Sequence, residues 1–142
     1  MKKSAVMLSL VSIAMLLVAA GCSTMHPSDS TALQGKWNGR EIGASPETPR
    51  TLVFSGNQFD YHGADTHDWG KGTFTLRADT QPKQLLVTLT ECGMAQYVGK
   101  TACMIYKIED GTLTAAAKEP GNPVAPSGFN APGVRQMVFK KE

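Results

Sequence analysis

Leu85-Leu86-Val87-Thr88-Leu89-Thr90 is the stretch whose reading decides the fold. Leu85, Val87 and Leu89 share one face, and the threonines take the other. A period of two marks a strand with one buried and one wet face. The same rhythm runs outward from it. Thr73-Phe74-Thr75-Leu76-Arg77 alternates cleanly, and Gln58-Phe59-Asp60-Tyr61-His62 puts Phe59 and Tyr61 together. Asp110-Gly111 separates Met104–Ile108 from Leu113–Ala115, and Gly56-Asn57 separates Leu52–Phe54 from Phe59–Tyr61. Such pairs tolerate the positive φ that a tight hairpin demands. The pattern predicts strands near 35–43, 50–55, 58–63, 71–78, 84–91, 102–108, 112–118 and 134–140. No segment after the N-terminal signal shows a helical stripe. The expected fold is all-β: a small antiparallel up-and-down barrel of about eight strands. An immunoglobulin-like sandwich is the competing fold. Its inter-sheet disulfide joins strands far apart in sequence, whereas Cys92 and Cys103 are close.

The N-terminus has a different character. Lys2 and Lys3 precede an apolar run from Ala5 to Ala20, broken only by Ser9 and Ser12. Val18-Ala19-Ala20-Gly21-Cys22-Ser23 follows and resembles the lipobox of bacterial lipoproteins, with Ala19 where that motif most often has Leu. The resemblance implies that residues 1–21 are a signal peptide and that Cys22 carries lipid. Ser23, rather than an Asp, then implies the outer membrane, with the domain on the periplasmic face. An ordinary cleaved signal and an uncleaved anchor are the other readings, but the run falls short of a spanning helix of roughly 18–20 residues. Residues 22–32 read as the lipidated cysteine and a flexible tether, and residues 33–142 as the barrel domain. Acyl chains contribute about 0.8 kcal/mol per buried methylene, so lipid can hold the protein on a membrane.

The chain has 142 residues, with 14 Lys and Arg against 12 Asp and Glu. Without Lys2 and Lys3 the two signs are equal, so the basic balance belongs to the signal. Lys140-Lys141 is the longest basic run, which excludes an obvious nucleic-acid surface. With Cys22 committed to lipid, Cys92 and Cys103 remain as an even pair. An oxidising compartment favours a disulfide between them, of about 3 kcal/mol in the chain-entropy model. Two free thiols, or half of a metal site, are the other readings.

A family resemblance emerges once the strands are aligned in order. Gly35-Lys36-Trp37 looks like the G-x-W opening of lipocalins. Leu52–Phe59, Gly72–Leu76, Ile105–Ile108 with Asp110–Thr114, and then Pro126 and Phe129 before Met137-Val138-Phe139, follow in sequence. This order is similar to a family of small secreted bacterial proteins with a lipocalin-like domain and no established activity. It implies an eight-stranded barrel in which Trp37 plugs the closed end. It also implies an Arg from near the last strand lying over that Trp. Arg135 shares a face with Met137 and Phe139 and is the candidate; an exposed strand-start residue is the alternative. The Cys92/Cys103 pair is not part of the family pattern.

Candidates for chemistry are few. His62, Asp65, His67 and Asp68 form the densest polar cluster and have the ligand types of a divalent-metal site. They also suit a solvated loop tip with Trp69 folding over the barrel mouth, and no metal is expected. Ser45, Ser55 and Ser127 lack a nucleophile-elbow context. Glu41, Asp60 and Glu91 are unpaired in sequence. No enzyme and no cofactor are expected. The Pro- and Gly-rich stretch 119–133 is a lid, a docking surface or a plain cover for a barrel end.

The inward faces should carry Leu52, Phe54, Phe59, Tyr61, Phe74, Leu76, Val87, Leu89, Met104, Tyr106, Leu113 and Met137. That set suits either a filled core or a small apolar pocket with a polar handle. Ala115 and Ala117 are where space would open. The expected function is binding of a small apolar or amphipathic ligand, with Phe54, Phe59, Tyr61, Phe74, Tyr106 and Phe129 as contacts. The alternative is a protein-interaction module, an envelope structural partner or a periplasmic inhibitor, acting through its loops.

Overall fold

The computed structural model describes residues 28–45 and 47–142. The proposed signal, Cys22 and the first part of the proposed tether lie outside the described residues. Eight strands follow one short helix, α1 (Asp29–Leu33): β1 (Gly35–Glu41), β2 (Arg50–Ser55), β3 (Gln58–His62), β4 (Trp69–Arg77), β5 (Lys83–Cys92), β6 (Thr101–Glu109), β7 (Thr112–Ala117) and β8 (Arg135–Lys141). Each strand pairs antiparallel with the next, and β8 returns to β1, so the sheet is a closed up-and-down barrel. Closure leaves no sheet edge unpaired.

The connections sort by length onto the two ends. Gly56-Asn57 and Asp110-Gly111 make tight turns at the end where β1 begins. Asp110 has φ 49° and Gly111 φ 71°, the two successive positive values of a type I′ hairpin. The connections of residues 42–49, 63–68, 93–100 and 118–134 all lie at the other end. The barrel therefore has a closed floor and a looped mouth.

Alternation explains which side chains go in. Every residue expected on the inward face is in the core or packed against it. Among the described residues the core runs from Leu33 to Phe139. The outer faces of β1, β3 and β4 carry Lys36, Asn38, Arg40, Gln58, Asp60, Lys71, Thr73 and Thr75, the reverse of the apolar band of a membrane-spanning barrel.

β6 and β7 depart from alternation. Ile105 and Ala116 pair with each other on the outer face and are fully buried. The 118–134 connection covers them: Pro126 is buried, and Lys107, also on the outer face, has Nζ 5.5 Å from the Phe129 ring centre.

The floor includes part of the expected flexible tether. Residues 29–32 lie in the helix Asp29–Leu33. Ser28 caps the helix by accepting from the Thr31 N–H at 3.4 Å, and Leu33 is fully buried under the barrel. Asp29 accepts from Lys83 Nζ at 2.7 Å and from the Tyr106 hydroxyl at 2.8 Å. Gln34 exchanges two hydrogen bonds with the backbone of Gly56, at 3.0 and 2.8 Å. These long-range bonds hold a helix too short to be stable alone.

Candidate functional site

Above the floor the barrel is not filled. Trp37, Leu33, Tyr106 and the edge-on pair of Phe54 and Phe74, ring centres 4.9 Å apart, occupy the lower part. Over Phe54 a cavity of about 400 Å³ opens toward the mouth. Its walls are apolar: Leu52, Phe59, Val87, Leu89, Leu113 and Met137. Small residues create the room. Gly70, Ala102, Ala115 and Ala117 all line it from strands whose neighbours carry large side chains. A Cβ on Gly70 would sit 2.7 Å from Leu89 Cδ2, so that wall position admits glycine alone without a shift. The volume falls within the range of small-molecule sites.

One wall near the mouth is polar. Tyr61 and Arg135 line it from the mouth ends of β3 and β8, and Glu41 and Arg50 stand behind them at the mouth ends of β1 and β2. Asp68 joins them from the 63–68 connection. Arg135 Nη2 donates to Glu41 Oε2 at 2.8 Å and to Asp68 Oδ2 at 3.1 Å, and its Nη1 reaches Asp68 Oδ1 at 3.3 Å. Arg50, buried beneath them, donates from Nη2 to Glu41 Oε2 at 2.9 Å, and its Nε lies 3.8 Å from Asp68 Oδ2. The Tyr61 hydroxyl donates to Asp68 Oδ2 at 3.2 Å.

Asp68 also shapes its own loop. Its Oδ2 accepts from the Ala64 N–H at 3.1 Å, and a Cβ on Gly63 would overlap that oxygen at 1.8 Å. Asp65 Oδ1 accepts from the N–H groups of His67 and Asp68, closing the turn.

The titration of these groups follows the network. The hydrogen bond from Arg135, opposed by burial and aided by Arg50, holds the Glu41 carboxyl below its ordinary range. Burial pulls Asp68 upward, but Arg135, the Ala64 N–H and Tyr61 outweigh it and hold it low. Burial above all pushes the Tyr61 phenol up to about 12. Burial works against the charge on Arg135, and its bonds to Glu41 and Asp68 overcome that and raise its pKa. At neutral pH Arg135 is thus a cation, Glu41 and Asp68 are anions, and Tyr61 is a neutral phenol.

The 93–100 and 118–134 connections roof one side of the mouth. The Tyr97 hydroxyl donates to Glu119, and the Gly121 N–H donates to the Thr101 carbonyl at 2.9 Å. Met94, Tyr97 and Pro120 line the cavity entrance, as do Trp69 and His67 from the facing side.

The expected site residues divide. Phe54, Phe59 and Tyr61 line the cavity. Phe74 and Tyr106 are buried in the floor beneath it, and Phe129 lies outside the barrel against Lys107, so these three are not cavity contacts. Trp37 is buried in the floor, its Nε1 donating to the Leu33 carbonyl at 2.7 Å. Arg135 does not cover it. Arg135 and Lys141 share the inward face of β8 but stand at opposite ends. Trp37 pairs across from Lys141, whose Nζ lies 5.4 Å from the Trp37 ring centre.

The expected disulfide is absent: Cys92 and Cys103 are both free. Cys103 faces Leu86 across the β5–β6 ladder, six residues along β5 from Cys92, roughly 20 Å at strand rise. The register also shifts between Lys71 and Gly72, which turns Cys92 toward the cavity, while Cys103 is on the outer face near Gln84. Thiols on opposite faces at that separation cannot bond.

The histidine-rich cluster does not converge. His62 turns outward to Asp60 at 3.0 Å, His67 stays exposed, and Asp68 is taken by Arg135. Among the described residues no group of three or more His, Cys, Asp or Glu is placed to hold a metal. Sequence reasoning missed Glu41 and Arg50 as site residues, although a signal existed. Arg50 keeps step with Leu52 and Phe54, and Glu41 with Trp37, so both were bound to point inward.

Comparison with protein-family models, curated proteins and solved structures finds no match to this chain.

Proposed function

We propose that this chain is a non-enzymatic binding protein whose barrel takes a small apolar or amphipathic molecule through its open end. The cavity of about 400 Å³, apolar in its depth and polar on one wall of its mouth, is the observation that carries the reading. A filled barrel of this strand number would need only side chains inside. Here glycine and three alanines stand where larger residues would close the space. The G-x-W opening and the order of motifs support a lipocalin-like reading of the same barrel. The lipobox-like segment ending at Cys22 supports a lipid anchor at the outer membrane, with the barrel in the periplasm.

Residues 29–33 lie at the floor, beside Trp37, at the end of the barrel opposite the mouth. Native mass spectrometry of residues 28–142 purified without detergent tests the reading. A bound mass that denaturation releases supports it. A clean mass, together with no uptake of an uncharged apolar fluorophore, defeats it.

A second reading has one specific observation in its favour. Met94 and Val98 are exposed on the 93–100 connection and Val124 on the 118–134 connection, and the two connections are joined by Tyr97 and Glu119. That roof is a candidate docking surface for an envelope protein. Photo-crosslinking from position 98 in intact cells, compared with position 73 on the outer wall of the barrel, would reveal such a partner.

A further inference from the structure

The polar wall of the cavity bears on which head group an amphiphile carries. This step rests on the ligand-binding reading above. Asp68 and Arg135 line the cavity, one of each sign, and Glu41 and Arg50 stand behind them, again one of each sign, joined to them by ion pairs. The other charged residues at the entrance, Lys118 and Glu119, are again one of each sign.

Both Nη atoms of Arg135 are already engaged. Nη2 is shared by Glu41, Asp68 and the Tyr61 hydroxyl, and Nη1 goes to Asp68. The Nε of Arg50, buried behind Arg135, has no hydrogen-bond partner among the described residues and lies 3.8 Å from Asp68 Oδ2. A carboxylate that pairs with the Nη atoms of Arg135 would have to take a donor from an existing pair. It would leave one partner carboxylate uncompensated and lie beside two like charges in a partly desolvated site. An ammonium would meet the Arg135 guanidinium in the same way.

A hydroxyl brings no charge and needs no exchange. Among the described residues Asp68 Oδ1 accepts one hydrogen bond, the 3.3 Å contact from Arg135, and retains acceptor capacity for another donor. The Tyr61 oxygen lies on the same wall and can accept in turn.

The geometry points to an uncharged amphiphile, an apolar chain ending in a hydroxyl head, as the ligand class of this barrel. The chain occupies the cavity over Phe54, and the hydroxyl donates to Asp68 Oδ1. Charge balance at the mouth, rather than size, then excludes fatty-acid-like and amine-like competitors.

The test displaces N-phenyl-1-naphthylamine, an uncharged fluorophore, from residues 28–142 with decanol, decanoate and decylamine at neutral pH. Decanoate is intrinsically more soluble than decanol, so the informative quantity is the ratio of their half-displacement concentrations and its change in variants. Glu41→Gln removes one anion and leaves the wall net positive. The decanoate-to-decanol ratio should then fall by about tenfold or more. Asp68→Asn should move it the same way and serves if Glu41→Gln does not fold. Arg135→Gln should instead favour decylamine.

Decanoate displacing the fluorophore from the unsubstituted protein at a lower concentration than decanol overturns the inference. So does a ratio that Glu41→Gln and Asp68→Asn both leave unchanged. Either result leaves the binding reading standing. If the fluorophore does not bind at all, the binding reading falls, and the inference with it.

Discussion

Trp37 Nε1 donates to the carbonyl oxygen of Leu33 at 2.7 Å, and through that bond the helix and the first strand form one floor. Both side chains are buried to about 1 % exposure or less. Trp37→Ala should cost about 3–5 kcal/mol, and Leu33→Ala about 2–5 kcal/mol, in urea unfolding. Trp37→Phe keeps most of the apolar volume and leaves the Leu33 carbonyl without its donor, so it should fall well short of the alanine loss. Equal losses for Phe and Ala would show that the hydrogen bond, not the ring, closes the floor.

Cys92 and Cys103 provide a sharper discrimination. With the thiols on opposite faces of the sheet, reductant should leave the thermal midpoint unchanged. Thiol titration should find both groups after unfolding, and the intact mass should be that of the reduced chain. A midpoint that drops in reductant, with a mass two hydrogens lighter before it, would mean a bond between them.

Acid should loosen the mouth before the floor. Glu41 and Asp68 both have folded pKa values below their unfolded ones. Such groups contribute stability that is present above the unfolded values, near pH 4, and lost as pH falls through the folded ones. Stability should therefore decline below about pH 4. Arg135 is nearly half exposed, so its coupling to Glu41 in a double-mutant cycle should be about 1 kcal/mol or less at moderate salt. Glu41→Gln should flatten the acid limb; an unchanged limb would place the acid sensitivity elsewhere.

At the alkaline end the phenols should report burial. The Tyr61 pKa is raised to about 12, chiefly by burial, and that of Tyr106 is raised further by burial and by Asp29. A raised phenol contributes stability present below the unfolded value near 10 and lost as pH rises through the folded one. Absorbance at 295 nm should show phenolate appearing later in the native protein than in denaturant, and the buried phenols should ionise only as the fold gives way. Coincident titrations would place Tyr61 and Tyr106 in water.

The barrel was legible because one physical pattern, alternation, fixes both the strands and their inward faces. Its mouth and floor were less so. Arg135 and Lys141 have the same parity on β8, so periodicity cannot say which cation meets Trp37; only the pairing of Trp37 with Lys141 does. Phe129 read as a ligand contact yet packs on the outside, because a Pro-rich connection has no period to tell the two faces apart. The helix Asp29–Leu33 buries one residue, which is too little to make a stripe. Cys92 and Cys103 looked close because sequence distance ignores the face on which a side chain emerges.

Ala115 and Ala116 are adjacent, equally buried and chemically identical, and they should respond oppositely to the same substitution. Ala115 points into the cavity of about 400 Å³, where a leucine side chain has room. Ala115→Leu should leave stability unchanged or raise it by roughly 0.5–2 kcal/mol, as cavity filling commonly does. It should also weaken uptake of an apolar fluorophore by about tenfold or more. Ala116 pairs with Ile105 on the outer face, beneath the 118–134 connection. There the added atoms meet packed neighbours, so Ala116→Leu should cost about 1–3 kcal/mol and leave uptake unchanged in the fraction that folds. The pair separates a real interior site from general softness of the barrel. If both substitutions destabilise alike and neither alters uptake, the interior is closed in solution and the fluorophore binds elsewhere.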